Sequence, residues 1–118
     1  MKFKSMMLLW AIFLLTACNE KKTATLTNIS PNKKVTTTVT ASRTNTVDAW
    51  KIIINVNAYT FKDQKLNLEL YADDINDQNV KFDWQDNSNC IITFQQREAK
   101  PRTFHLKADP NQLQLAEM

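Results

Sequence analysis

The chain has 118 residues, of which 43% are hydrophobic and 23% are charged, and its formal net charge is +3. This length suits one small domain and is too short for two independent hydrophobic cores. The basic residues form no patch of the kind that binds nucleic acid, so we expect no nucleic-acid partner.

The first 18 residues have the composition of an export signal. Lys2 and Lys4 precede an apolar run over residues 6–15, and small residues then lead to Cys18. A basic start, a short apolar stretch and small residues before a cleavage site are the parts of a signal peptide. A membrane-spanning helix needs roughly 20 apolar residues, about twice the length of this run, so a transmembrane segment is disfavoured.

The tetrapeptide Leu15-Thr16-Ala17-Cys18 resembles the lipobox of bacterial lipoproteins. The resemblance implies that the bond between Ala17 and Cys18 is cut, and that the Cys18 thiol and the new amino terminus receive fatty acyl chains such as palmitate. It therefore implies a signal peptide over residues 1–17, an acylated N-terminus and tether over 18–29, and a β domain over 30–118. An ordinary secretory signal that happens to contain a cysteine is the alternative.

The same resemblance implies a location in the cell envelope, with the lipid bilayer as a partner through acylated Cys18. Asn19 follows the cysteine, which in Gram-negative lipoproteins fits transfer to the outer membrane, facing the periplasm. Loss of residues 1–17 removes Lys2 and Lys4 and lowers the formal charge to +1. With Cys18 acylated, Cys90 has no partner cysteine in the chain, so we expect no internal disulfide.

Beyond the tether, apolar residues alternate with a period of two, as in half-buried β-strands rich in β-branched residues. The alternating runs lie at residues 35–41, 50–58, 66–70, 80–84, 90–94 and 104–106. They predict an all-β domain, a small antiparallel sandwich or partly open barrel of about six or seven strands after an N-terminal signal helix. The tail, residues 112–118, fits either a last strand or a short helical turn.

Turn-forming residues separate these runs, and the chain contains no glycine. We therefore expect asparagine or aspartate wherever a turn needs positive φ. Residues 86–89 fit a tight hairpin between the runs at 80–84 and 90–94.

Residues 73–79 are rich in carboxylates and amides and are the strongest candidate for a calcium site, or for one helical turn. This segment lacks the glycine of a calcium loop, and Ile75 interrupts the spacing of its oxygen ligands. A solvated turn whose Asx side chains satisfy the backbone is the favoured interpretation, and no metal or other cofactor is predicted.

Residues suited to catalysis are few. A nucleophilic pair of Cys90 and His105 is conceivable, because a thiol needs a nearby base to ionise. However, Cys90 shares the inward parity of Ile92, whereas His105 lies between the inward Phe104 and Leu106 and should face solvent. The sequence also lacks a glycine-rich phosphate loop, so we predict no enzymatic activity and no catalytic residues.

Four apolar residues lie at outward positions among polar neighbours: Ile53, Tyr59, Tyr71 and Ile91. If they cluster, they form a patch of the kind that marks a protein contact. The alternative is that the segment before Ser30 or the tail after Asn111 covers them. A second contact route is an exposed edge strand, for which the threonine-rich stretch 35–40 is a candidate.

Trp50 and Trp84 lie at inward positions, which favours packing between sheets over the stacking of a sugar. Together these observations predict a membrane-anchored lipoprotein that acts as a protein-binding module in the cell envelope. An immunity or inhibitor lipoprotein directed against a toxin or hydrolase, a structural component of the envelope, and a hydrolase are the alternatives.

Overall fold

The computed structural model describes residues 22–118, so the predicted signal peptide, its helix and the lipobox with Cys18 lie outside the described residues. Residues 22–118 form eight β-strands and no helix. Their bounds are β1 Lys22–Ile29, β2 Val35–Arg43, β3 Trp50–Ala58, β4 Phe61–Leu70, β5 Val80–Trp84, β6 Asn89–Gln96, β7 Ala99–Asp109 and β8 Gln112–Glu117.

The strands make two antiparallel sheets in which spatial order follows chain order. Strands β1 to β4 form the N-terminal sheet and β5 to β8 form the C-terminal sheet, with residues 71–79 crossing between them. Each sheet keeps two unpaired edges, so the domain is a sandwich and not a closed barrel. The predicted all-β antiparallel class is confirmed.

The core lies between the two inner faces, because alternate residues of each strand point inward. Along β3, for example, Trp50, Ile52 and Ile54 are buried while Lys51 and Ile53 are exposed. The rings of Phe94 and Phe104 meet edge to face with their centroids 5.6 Å apart in the C-terminal sheet, a geometry that aromatic pairs favour.

The strand count of six or seven was too low, because β1 and β8 are both edge strands with weak apolar alternation. The inward positions of β1 carry Ala24 and Leu26, which are only half-buried. Residues 22–29 had been assigned to the tether, yet they pair with β2 from Lys22↔Arg43 to Ile29↔Thr36. The tail likewise forms a strand and no helical turn, with Leu113 and Leu115 packed against the core.

The prediction that residues 35–40 form an exposed edge was wrong. Strand β2 lies between β1 and β3, so its backbone groups are paired on both sides. Within residues 22–118, the edge strands of this sheet are β1 and β4.

The expectation that only asparagine or aspartate would take positive φ was also wrong. Within residues 22–118, four residues have positive φ. One is Asp63, and the other three are Lys33, Tyr59 and Glu98, with φ of 64°, 55° and 56° in that order. The left-handed conformation costs an ordinary residue roughly 1–2 kcal/mol, which the paired strands on either side of each turn offset.

The crossover over residues 71–79 is held by hydrogen bonds and buried apolar groups. It contains no helix, but the Val80 N–H donates to the Asn76 carbonyl oxygen at 3.0 Å, which closes a single turn of the helical type. The Asn76 Oδ1 atom accepts the N–H groups of Gln78 and Asn79, and Ile75 is 3% exposed. Asx side chains thus satisfy the backbone here, as predicted. No group of three or more His, Cys, Asp or Glu side chains within residues 22–118 is arranged to hold a metal ion.

Candidate functional site

The outer face of the N-terminal sheet is the strongest candidate for a binding surface. Its side chains project away from the core at alternate positions of all four strands: Thr23, Thr25, Thr27, Thr36, Thr38, Thr40, Ser42, Lys51, Ile53, Asn55, Asn57, Lys65, Asn67 and Glu69. Hydroxyl groups therefore cover most of the half formed by β1 and β2, where Ile29 is an apolar exception that is 54% exposed. Amides and charges surround Ile53 on β3 and β4.

Three depressions on this side of the molecule share Lys51 as a lining residue. One of about 490 Å³ lies across β3 and β4 beside Ile53, and one of about 250 Å³ lies across β1, β2 and β3. The third, of about 380 Å³, lies at the end of the sheet between the loop 44–49 and Tyr71. The face is thus uneven around one exposed lysine, which gives a partner several places to insert side chains.

Strand pairing sets the chemistry around Lys51. Glu69 lies directly opposite it on β4, and Ile53 lies between Thr40 and Asn67 in the next row. Ile53 is 40% exposed, so an apolar group stands among polar neighbours. In protein contacts, apolar groups carry the energy and a polar rim sets the orientation.

Of the four predicted contact residues, the structure places Ile53 and Tyr71 on the same side of the molecule. Tyr71 follows β4, is 57% exposed and lines the same depression as Lys51 and Glu69. Neither residues 22–29 nor the tail covers Ile53, because the first are paired beside β2 and the second belongs to the other sheet.

The other two predicted contact residues lie elsewhere. Tyr59 is half-buried in the turn between β3 and β4, where its hydroxyl accepts a hydrogen bond from Asn32 Nδ2 at 3.4 Å. Ile91 lies on the outer face of the C-terminal sheet, between Asp83 and His105. The four residues therefore do not form a single patch.

A buried cation positions Tyr71 and the start of the crossover. The Arg43 guanidinium lies 4.3 Å from the centroid of the Trp50 ring and donates to the carbonyl oxygens of Ala72 and Asp73 at 3.1 and 3.0 Å. Trp50 Nε1 donates to the same Ala72 oxygen. Arg43 was not among the predicted site residues. Its position at an inward site of the apolar strand β2 is the sequence signal that identifies it.

Trp50 and Trp84, the tryptophans of the described residues, both make contacts that stabilise the fold. Trp50 is 1% exposed, as its inward parity predicted, so its ring is not available to stack on a sugar. Trp84 is half-buried and donates from Nε1 to Asn28 Oδ1 at 2.7 Å, which joins β5 to β1 across the two sheets.

Cys90 and His105 do not form a nucleophilic pair. Cys90 is fully buried on the inner face, whereas His105 points outward and hydrogen-bonds Asn89 Oδ1 at 3.0 Å. Burial raises the pKa of the Cys90 thiol to about 12, so it stays protonated at neutral pH. Strand parity had predicted this separation.

Comparison of the chain with protein-family models, with curated proteins and with solved structures found no match. No helix within residues 22–118 is both long enough and apolar enough to cross a membrane.

Proposed function

We propose that this protein is a lipoprotein of the cell envelope that binds another protein through the outer face of its N-terminal sheet. Acyl chains on Cys18 hold it in the membrane, with the outer membrane facing the periplasm as its location. Two or more acyl chains give stable anchoring, whereas one chain alone binds marginally. The lipobox sequence at residues 15–18 supports this part of the proposal.

The observation that carries the binding role is the set of three depressions that meet at Lys51 beside exposed Ile53. The free edge of β1 borders the same face and offers unpaired backbone groups along Thr23, Thr25 and Thr27. An extended segment of a partner can add to such an edge and lay side chains across the adjoining face.

Capture from detergent-solubilised envelopes tests the proposal, with the intact lipidated protein as bait. Ile53→Lys and Tyr71→Lys place charges in the proposed contact without touching the core, since both side chains are exposed. We expect each change to weaken capture of the partner at least tenfold, about 1.4 kcal/mol or more.

Ile91→Lys is the matched control, because it makes the same chemical change on the outer face of the opposite sheet. Capture that survives Ile53→Lys and Tyr71→Lys, or that Ile91→Lys abolishes equally, would contradict the assignment of the contact to the N-terminal sheet.

A further inference from the structure

One end of the sandwich is defined by the position where the described chain begins. Lys22, at the start of β1, is paired with Arg43, at the end of β2. The loop 44–49 follows Arg43 and therefore lies at the same end of the sheet as Lys22. Tyr71 lies at the same end, because it follows Leu70, the partner of Trp50. We call this the Lys22 end; the turns 30–34 and 85–88 lie at the opposite end.

The distance to the proposed anchor is short. Lys22 is the fourth residue after Cys18 in the sequence, so four Cα-to-Cα steps separate them. A fully extended chain covers at most about 3.6 Å per residue, so Lys22 lies within roughly 14 Å of the acylated cysteine. The Lys22 end therefore faces the bilayer at close range whenever Cys18 is inserted in it.

The loop 44–49 presents an apolar side chain at this end. Val47 is 76% exposed, the most exposed of the large hydrophobic residues in the described chain. Its position is fixed because Asn45 Oδ1 accepts the N–H groups of Val47 and Asp48, both at 3.0 Å, and Thr44 Oγ1 donates to Asp48 Oδ2 at 2.6 Å. An ordered polar loop with an apolar side chain near its tip is shaped for contact with an apolar phase.

Tyr71 gives the same end an amphipathic aromatic ring, the kind of side chain enriched at the boundary between lipid and water. Charges at this end are mixed and weighted towards carboxylates, since Lys22, Arg97 and Lys100 stand with Asp48, Asp73, Asp74, Asp77 and Glu98, all exposed. Mixed charge favours contact with a zwitterionic surface over attraction to a strongly anionic one.

We infer that the loop 44–49 docks onto the lipid bilayer through Val47, as a second point of attachment beside the acyl chains. This inference rests on the acyl anchor of the proposed function. The contact fixes the orientation of the domain, with its strands directed away from the membrane and the outer face of the N-terminal sheet open to the side.

The test uses the full lipidated protein in phosphatidylcholine vesicles. Val47→Cys carries an environment-sensitive fluorophore, and Asn87→Cys in the exposed loop at the opposite end is the matched control. Labelling under native conditions spares buried Cys90, which unlabelled wild type treated with the same reagent verifies. We expect blue-shifted emission at position 47, and at least about twofold stronger quenching there by nitroxide-labelled phosphatidylcholine than at position 87.

Equal emission and equal quenching at the two positions, with the protein still bound to vesicles, would overturn the inference and leave the anchor intact. Mass spectrometry separates this result from failure of the anchor. A mature chain that lacks an acylated Cys18 would overturn both the anchoring and the orientation derived from it.

Discussion

Arg43 is a buried cation whose hydrogen-bond partners are carbonyl oxygens. Its relative exposure is 6%, and its guanidinium stacks on Trp50 while two of its nitrogens reach the main chain of the crossover. One side chain thus joins the end of β2, the start of β3 and residues 72–73. A buried charge is costly unless such contacts surround it, so the site is sensitive to any change that removes them.

Arg43→Ala should lower the free energy of unfolding by about 2–4 kcal/mol, because it leaves a cavity beside Trp50 and removes two charge-assisted hydrogen bonds. Urea unfolding of the mature chain followed by tryptophan fluorescence measures the loss. Arg97→Ala is the control, since Arg97 binds the same crossover through Asp73 but its side chain is 39% exposed. We expect the control to lose less than about 1 kcal/mol. Equal losses would mean that the stacked position of Arg43 contributes nothing.

At the scale of elements, two of the three hairpins of the C-terminal sheet, β5–β6 and β7–β8, share one device that replaces glycine, whereas the β6–β7 hairpin places Glu98 at positive φ. Asp86 accepts the N–H groups of Ser88 and Asn89, and Asp109 accepts those of Asn111 and Gln112. Asn45 and Asn76 do the same in the loop 44–49 and in the crossover. An Asx side chain that bonds the backbone two and three residues ahead closes a turn without any positive φ.

The hydrogen bonds that close the β5–β6 hairpin favour the charged carboxylate form of Asp86. Hydrogen bonds from the Ser88 N–H and the Asn89 side chain, the largest favourable causes, lower the pKa of Asp86 below its usual 3.8. A lowered pKa in the folded state means that the unfolded chain takes up the proton first as pH falls. The stabilisation is therefore present above pH 3.8 and is lost as pH drops through the folded-state pKa.

Asp86→Asn keeps an oxygen acceptor but removes the charge, so the melting temperature should fall less between pH 7 and pH 3 than in wild type. Asp86→Ala is the companion variant, which removes the acceptor and should melt lower than wild type at pH 7 as well. Thermal melts followed by circular dichroism at the two pH values measure both effects. Identical pH dependence in wild type and Asp86→Asn would show that this carboxylate does not link the hairpin to pH.

The strands that the sequence predicted are those in which large apolar residues stand at alternate positions and lie against or within the core. In β3 the alternation of Trp50, Ile52 and Ile54 with Lys51 reflects a central strand against the core. The edge strand β1 gave no such signal, because its inward side chains are small or only half-buried. A subtler signal was present in Thr23, Thr25 and Thr27, whose period of two continues the pattern of β2.

The outward orientation of side chains in the candidate site was predictable from strand parity. Parity assigns a side chain to the inside or the outside of a sandwich, so it identified Ile53 and Ile91 as outward-facing. It does not say which of two outer faces a residue occupies, and these two lie on opposite sheets. Ile53 and Tyr71 lie on the same side of the molecule because β3, which contains Ile53, pairs with β4, which Tyr71 follows, and this pairing depends on topology.

For the whole molecule, the anchor and the binding face have a defined relation. Strand β3 has nine residues, which corresponds to roughly 30 Å at about 3.3 Å per residue. With the Lys22 end on the bilayer, the outer face of the N-terminal sheet extends over this height above the lipid. In this proposed orientation, a partner would approach parallel to the membrane surface.

Lengthening the segment before Lys22 tests whether docking of the Val47 loop on the bilayer and binding of the partner are independent. A flexible glycine-serine insert of about 20 residues after Glu20 has a root-mean-square span of roughly 25 Å, so the effective concentration of the Val47 loop at the bilayer falls. We expect quenching of a fluorophore at position 47 by lipid-borne nitroxide to fall towards that at position 87, while capture of the partner in detergent is unchanged. Mass spectrometry of the acylated N-terminus controls for normal processing of the variant. If capture is lost together with quenching, the partner depends on the native segment before Lys22, and the outer face of the N-terminal sheet does not bind it independently.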